Sequence, residues 1–155
     1  MSSGPVGEDP RPVVRHSASE IAPGVYVGGK LDAPHFEGVR LCVSDEAPPD
    51  ARRARHFPVY DGEGDRPNMA NLERLVEAIA TARSRGEPVL VFCGHGVRRG
   101  PLGGAWYLHR TERISLDAAY DRIERVRPQI ERATEWIGNA SDLDPPRGRR
   151  DHRSG

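Results

Sequence analysis

VLVFCGHGVRRGPLGGAWYL, residues 89–108, is the stretch on which the reading of this chain turns. An apolar β-branched run ends at Cys93, a loop bearing Gly94 and Gly96 follows, and a helical pattern begins at about Arg99. Pro101 is tolerated in a first helical turn, and the small Gly103 and Gly104 allow that helix to approach a sheet closely. A strand, a glycine-bearing loop and a helix start, in that order, place backbone N–H groups and a helix N-terminus around one point, a set of donors suited to a phosphate. Donors of that kind also favour a thiolate, the form of cysteine that acts as a nucleophile. Arg99, six residues after Cys93, has a planar guanidinium that can hold two phosphoryl oxygens at once. The spacing alone carries little weight, because 22 of the 155 residues are Arg. The plainer alternative is that Cys93 is a small buried residue closing a strand. The coincidence of strand, glycines, arginine and helix restart favours the phosphate cradle.

Working outward, VYVGG (Val25–Gly29), VRLCVS (39–44), HFPVY (56–60) and PVLVF (88–92) are four strand candidates bounded by turn residues. The run after Asn71 sets Leu72, Leu75, Val76, Ile79 and Ala80 at helical spacing and closes at Gly86. Ser115 can cap a further helix over DAAYDRIERVR, and Pro128 can open another carrying Ile130, Ala133, Trp136 and Ile137. The pattern predicts an α/β domain: one sheet of about four to five strands flanked by helices, with the cysteine loop between a central strand and a helix.

At this length the chain accommodates one domain. Residues 1–18 and the basic tail 142–155 are rich in Gly, Pro, Ser and charge and read as disordered, which leaves residues 19–141 for the domain. Lys+Arg and Asp+Glu each number 23, so no whole-molecule field argues for nucleic acid or anionic lipid as a partner. Mean hydropathy is −0.66, and no apolar run is long enough for a membrane span. Two cysteines 51 positions apart are no disulfide framework, and a cytoplasmic, reducing location is expected. Oligomeric state is left open by the sequence.

Cys93, Gly96 and Arg99 resemble the Cys-x2-Gly-x2-Arg signature of the cysteine-dependent protein tyrosine phosphatase superfamily, in particular its dual-specificity group. IAPGVYVGGKLDAPHF is similar to that group's opening strand, VRLCVSDE to its second, HFPVYDGEGD to its general-acid loop and DAAYDRIERVRP to the helix after the signature. The resemblance spans about residues 19–137 and implies hydrolysis of phosphomonoesters through a cysteinyl-phosphate, without a cofactor. It implies Cys93 as nucleophile, Arg99 as phosphate clamp, and Gly94, His95, Gly96, Val97, Arg98 and Arg99 as the phosphate-binding loop. The family places His before the cysteine and Ser or Thr after the arginine. Here these are Phe92 and Gly100, departures that point to slow turnover.

A leaving alkoxide or phenoxide needs a proton, and Asp61, 32 residues before Cys93 at the end of HFPVY, is the expected general acid, with Asp65 second. Both are equally ordinary residues for a DGEGD turn. His95 and Arg98 would make the pocket rim basic, to the advantage of acidic substrates, or else face solvent. The six histidines show no paired spacing for a metal, and none is expected. Trp106, Tyr107, Tyr120 and Trp136 read as core. Cys42, on the second strand, is either a buried core thiol or a redox partner for Cys93, as the resemblance suggests for some phosphatases. The substrate is expected to be a phosphorylated protein or a small phosphomonoester, and the sequence does not choose among phosphotyrosine, phosphothreonine, phosphoinositide, an RNA 5′-phosphate or a sugar phosphate. Two rivals stand beside hydrolysis: a phosphate-binding pseudophosphatase, and sulfur transfer of rhodanese type.

Overall fold

The computed structural model describes residues 18–48, 54–60 and 67–133. Its strands are β1 (Ser19–Ala22), β2 (Val25–Gly29), β3 (Val39–Cys42), β4 (Arg55–His56) and β5 (Val89–Cys93). They form one sheet in the order β1-β2-β5-β3-β4, in which only the β1/β2 pair is antiparallel. The helices are α1 (Met69–Ser84), α2 (Arg99–Glu112) and α3 (Leu116–Val126), with a 3-10 turn at Ala33–His35. This is the expected α/β sheet, and the strand that ends at Cys93 is its central one.

Local chemistry accounts for the elements. Helix α1 starts where the Asn68 side chain accepts from the Asn71 N–H at 2.9 Å. It ends in a Schellman arrangement, Gly86 N–H to Arg83 O at 2.9 Å and Glu87 N–H to Ala82 O at 3.0 Å, with Gly86 at φ +77°. Leu72, Leu75 and Ile79 are fully buried, each contributing roughly 1.5–3 kcal/mol. Ala80, expected on the same stripe, is exposed, and Ala78 and Ala82 are buried instead. Helix α3 begins at Ser115, whose hydroxyl accepts from the Ala118 N–H at 3.0 Å, as predicted.

The helices all contribute to the larger of two apolar clusters, on the sheet face presented by Val25, Val27, Leu41, Val89, Val91 and Cys93. The other face, with Cys42, Leu90 and Phe92, is covered by Ala33, Ala54 and Phe36. Gly103 and Gly104 do allow close packing: a Cβ would lie 2.8 Å from Leu75 Cδ2 at the first and 2.8 Å from Ile21 Cδ1 at the second.

Three expectations are corrected. Strand β1 was not anticipated. The strand expected over 56–60 is the two-residue β4, after which Tyr60 makes only an isolated bridge to Pro67. Residues 128–133 are not helical. They form a turn and irregular chain because Glu131 N–H is drawn to Val97 O at 2.8 Å, across the cysteine loop. Trp136 and Ile137 lie outside the described residues.

Candidate active site

Cys93 is the last residue of β5 and is 5% exposed. Its Sγ accepts two backbone N–H groups, from Gly96 and from Gly100, each at 3.2 Å. Gly100 is the second residue of α2, so one donor belongs to the loop and the other to the helix N-terminus, and both stabilise a negative sulfur. The loop turns back at Gly96, with φ +71°, where a Cβ would lie 2.6 Å from both the Gly28 carbonyl carbon and an Arg127 guanidinium nitrogen. Phe92 is buried on the opposite sheet face, packed with Cys42 and Leu90, and offers the loop no side-chain hydrogen bond.

Cys93 opens onto a cleft of about 350 Å³ lined by Lys30, Cys42, Ser44, Asp45, Glu46, Ala47, Pro48, Phe92, Gly94 and Arg99. Arg99 and Cys93 thus share one cavity. An Arg99 Nη2 donates to Asp45 Oδ2 at 3.2 Å, and the Tyr60 ring centroid is 5.3 Å from its guanidinium carbon. Of the other loop residues, Arg98 turns away to Glu131 at 3.0 Å, and His95 is exposed. Neither lines the cleft. Asp61 and Asp65 lie outside the described residues, but Tyr60, the residue before Asp61, is the one stacked on Arg99. Cys42 lines the same cleft, 3.2 Å from Ser44 Oγ. It packs on the face of the sheet opposite Cys93, and both thiols are free.

One residue that sequence reasoning passed over holds the loop from behind. Arg127, the C-cap of α3, is 3% exposed. It donates from Nε to Gly96 O at 2.8 Å, from Nη1 to Ser19 Oγ at 3.0 Å and from Nη2 to His95 O at 3.4 Å. Burial pushes its guanidinium below the usual arginine range, opposed by the nearby Asp32 and, when ionised, Cys93. With Glu131 on Val97 and Arg98, residues 127–131 strap loop residues 95–98. No local pattern announces this, since Arg127 sits 31 positions from Gly96 and 108 from Ser19. Asp45, 54 positions from Arg99, was likewise missed.

The geometry is a thiol ringed by amide donors beside a guanidinium, an arrangement that can hold a tetrahedral oxyanion against a nucleophile. No group of three or more His, Cys, Asp or Glu placed to hold a metal occurs among the described residues, and none of the described helices is long and apolar enough to cross a membrane.

Comparison with known proteins agrees with this geometry. Mouse dual specificity protein phosphatase 12 is 27% identical over 134 residues, covering 77% of this chain, and the chain spans only 39% of that relative's length. Human dual specificity phosphatase 28 is 30% identical over 132 residues, covering 79% of this chain and 72% of the relative. The crystal structure of human DUSP28 shares the fold, with a TM-score of 0.65 at 23% identity over 82% of this chain and 92% of that one. Residues 43–142 match the family model "Dual specificity phosphatase, catalytic domain", so on sequence, fold and cysteine loop together this chain belongs to the dual specificity phosphatase family.

Proposed function

We propose that the chain hydrolyses phosphomonoesters through a cysteinyl-phosphate intermediate. The Cys93 thiolate attacks phosphorus, the S–P bond forms and the P–O bond to the leaving group breaks, and Asp61 gives that oxygen its proton. Asp61, now a carboxylate, takes a proton from water as the water attacks phosphorus. The S–P bond then breaks, releasing phosphate and the thiolate. Arg99 and the amides of residues 94–99 hold the phosphoryl oxygens throughout. The observation that carries this reading is the convergence of the Gly96 and Gly100 N–H groups on Cys93 Sγ in a cleft shared with Arg99. Asp61 is supported by its neighbour Tyr60 lying against the Arg99 guanidinium.

A phosphorylated protein or small phosphomonoester is the proposed substrate, residues 19–141 the proposed domain and the cytoplasm the proposed location, which two free thiols suit. The second reading, a phosphate-binding module with little turnover, is favoured by Phe92 and Gly100, neither of which supplies the polar group found at its position in the family. Hydrolysis of p-nitrophenyl phosphate separates the two. Steady release by the wild type, lost in Arg99→Lys because an ammonium cannot make the two-pronged contact, supports the enzyme. Vanadate binding without any release supports the module. Asp61→Asn should cost on the order of 10²–10⁴ in kcat with a poor leaving group and less with a good one, and an equal loss for both would remove Asp61 from the acid role.

A further inference from the structure

The described wall of the cleft around Cys93 carries acidic as well as basic side chains. Among the described residues, two acidic side chains, Asp45 and Glu46, line it beside the basic Lys30 and Arg99. The loop arginine that could have tipped the balance, Arg98, is turned to Glu131. The acidic side of the mouth is built rather than incidental. Ser44 Oγ donates to Glu46 O at 3.0 Å, and the Ser44 carbonyl lies 2.6 Å from His56 Nε2, so the turn carrying Asp45 and Glu46 is fixed to the end of β3 and to β4. From that turn Asp45 reaches the guanidinium of Arg99 itself.

A phosphate held by Arg99 therefore sits within a guanidinium's width of the Asp45 carboxylate, with Glu46 on the same wall. Resting on the phosphomonoesterase reading above, we infer that Asp45, seconded by Glu46, sets the charge preference of this site: it accepts a phosphoryl group whose neighbours are neutral or basic and disfavours one with a second phosphate or a carboxylate beside it. A like charge at a partly exposed rim position is expected to cost roughly 3- to 10-fold in affinity and to be screened by salt. Lys30, which also lines the cleft, acts in the reverse sense.

The test uses the full chain carrying Cys93→Ser, so that binding is read without turnover, and three labelled phosphotyrosyl peptides that differ only in having Ala, Glu or Lys on both sides of the phosphotyrosine. Fluorescence anisotropy should rank the Glu-flanked peptide weakest by roughly 3-fold or more, with the gap shrinking at about 0.5 M NaCl. Adding Asp45→Asn should bring the Glu-flanked and Ala-flanked affinities together, Glu46→Gln should do so in part, and Lys30→Met should widen the gap. A merely structural role for Asp45 would weaken the three peptides alike, and that outcome, or a Glu-flanked peptide bound as well as the Ala-flanked one, overturns the inference. If neither vanadate nor any phosphopeptide binds to a variant that melts like the wild type, the phosphate site itself is wrong, and the charge preference falls with it.

Discussion

Replacing Arg127 by Met keeps most of the apolar stem and removes the guanidinium that ties the back of the cysteine loop. The two shorter bonds lost, to Gly96 O at 2.8 Å and Ser19 Oγ at 3.0 Å, are charge-assisted and worth about 1.5–3 kcal/mol each. The third, to His95 O at 3.4 Å, is long and adds little. Against that sum stands the desolvation of a guanidinium buried enough to be pushed below the usual arginine range, a penalty the Met variant no longer carries. The net loss is about 2–4 kcal/mol, or roughly 6–20 °C in Tm for a domain of this size. Function should suffer beyond stability. Gly96 supplies one of the two N–H groups on Cys93 Sγ, and a loop freed from behind should cost on the order of 10- to 100-fold in kcat/KM at a temperature where the variant is fully folded. Calorimetry and p-nitrophenyl phosphate kinetics read the two effects separately, and Arg127→Lys, able to reach one acceptor at most, should fall between. A Met variant that melts within about 2 °C of the wild type and keeps its kcat/KM would refute the strap.

Three further outcomes follow from the same geometry. A Cβ on Gly100 would lie 3.5 Å from Cys93 Sγ and 3.4 Å from Val27 Cγ1, ordinary contacts, so Gly100→Ser should fold. It should raise kcat by up to about 10-fold by placing a hydroxyl beside the departing thiolate, and an unchanged kcat would show that the hydroxyl is not what limits turnover. Tyr120 is fully buried, its hydroxyl accepts from Ala133 N–H at 3.3 Å, and burial pushes its pKa up to about 12. The folded state then holds the phenolic proton more tightly than the unfolded one. That contribution, on the order of 2–3 kcal/mol, is present below the unfolded tyrosine pKa near 10 and is lost as pH rises through about 12. Urea titrations from pH 9 to 12 should show a steeper alkaline loss in the wild type than in Tyr120→Phe, and parallel losses would exclude Tyr120 as the cause. Peroxide followed by dithiothreitol should restore more activity in the wild type than in Cys42→Ser if the two thiols trap each other. Because Cys42 and Cys93 pack on opposite faces of the sheet, a linked peptide in mass spectra would report a local rearrangement, and equal recovery in both proteins would leave Cys42 as core.

What the sequence disclosed were features written in neighbouring residues. The spacing of Leu72, Leu75 and Ile79, the caps at Ser115 and Gly86, and the apolar run into Cys93 are all local, and each is found in the fold as read. What stayed hidden depends on partners distant in the chain. Strand β1, with the sequence Ser-Glu-Ile-Ala, has a polar composition and takes its extended form from pairing with β2. Strand β4 is a two-residue edge strand, although Phe57 N–H still donates to Cys42 O at 2.7 Å and Val59 N–H to Val43 O at 3.3 Å beyond it. Pro128 carried an ordinary helix-start signal, which lost to the hydrogen bond between Glu131 and the cysteine loop. The nucleophile and clamp candidates were legible because strand, loop and helix run consecutively. Arg127, Ser19 and Asp45 were not, because only the folded sheet brings them to that loop.

In the proposed reaction Cys93 carries the phosphoryl group between the two steps. Rapid acid quench of the wild-type chain during p-nitrophenyl phosphate turnover, followed by peptide mass spectrometry, tests it directly. A phosphorylated peptide whose modified residue is Cys93 is expected, absent from Cys93→Ser, which should also lose turnover. Steady hydrolysis by Cys93→Ser, or the phosphoryl group on another side chain, would contradict it.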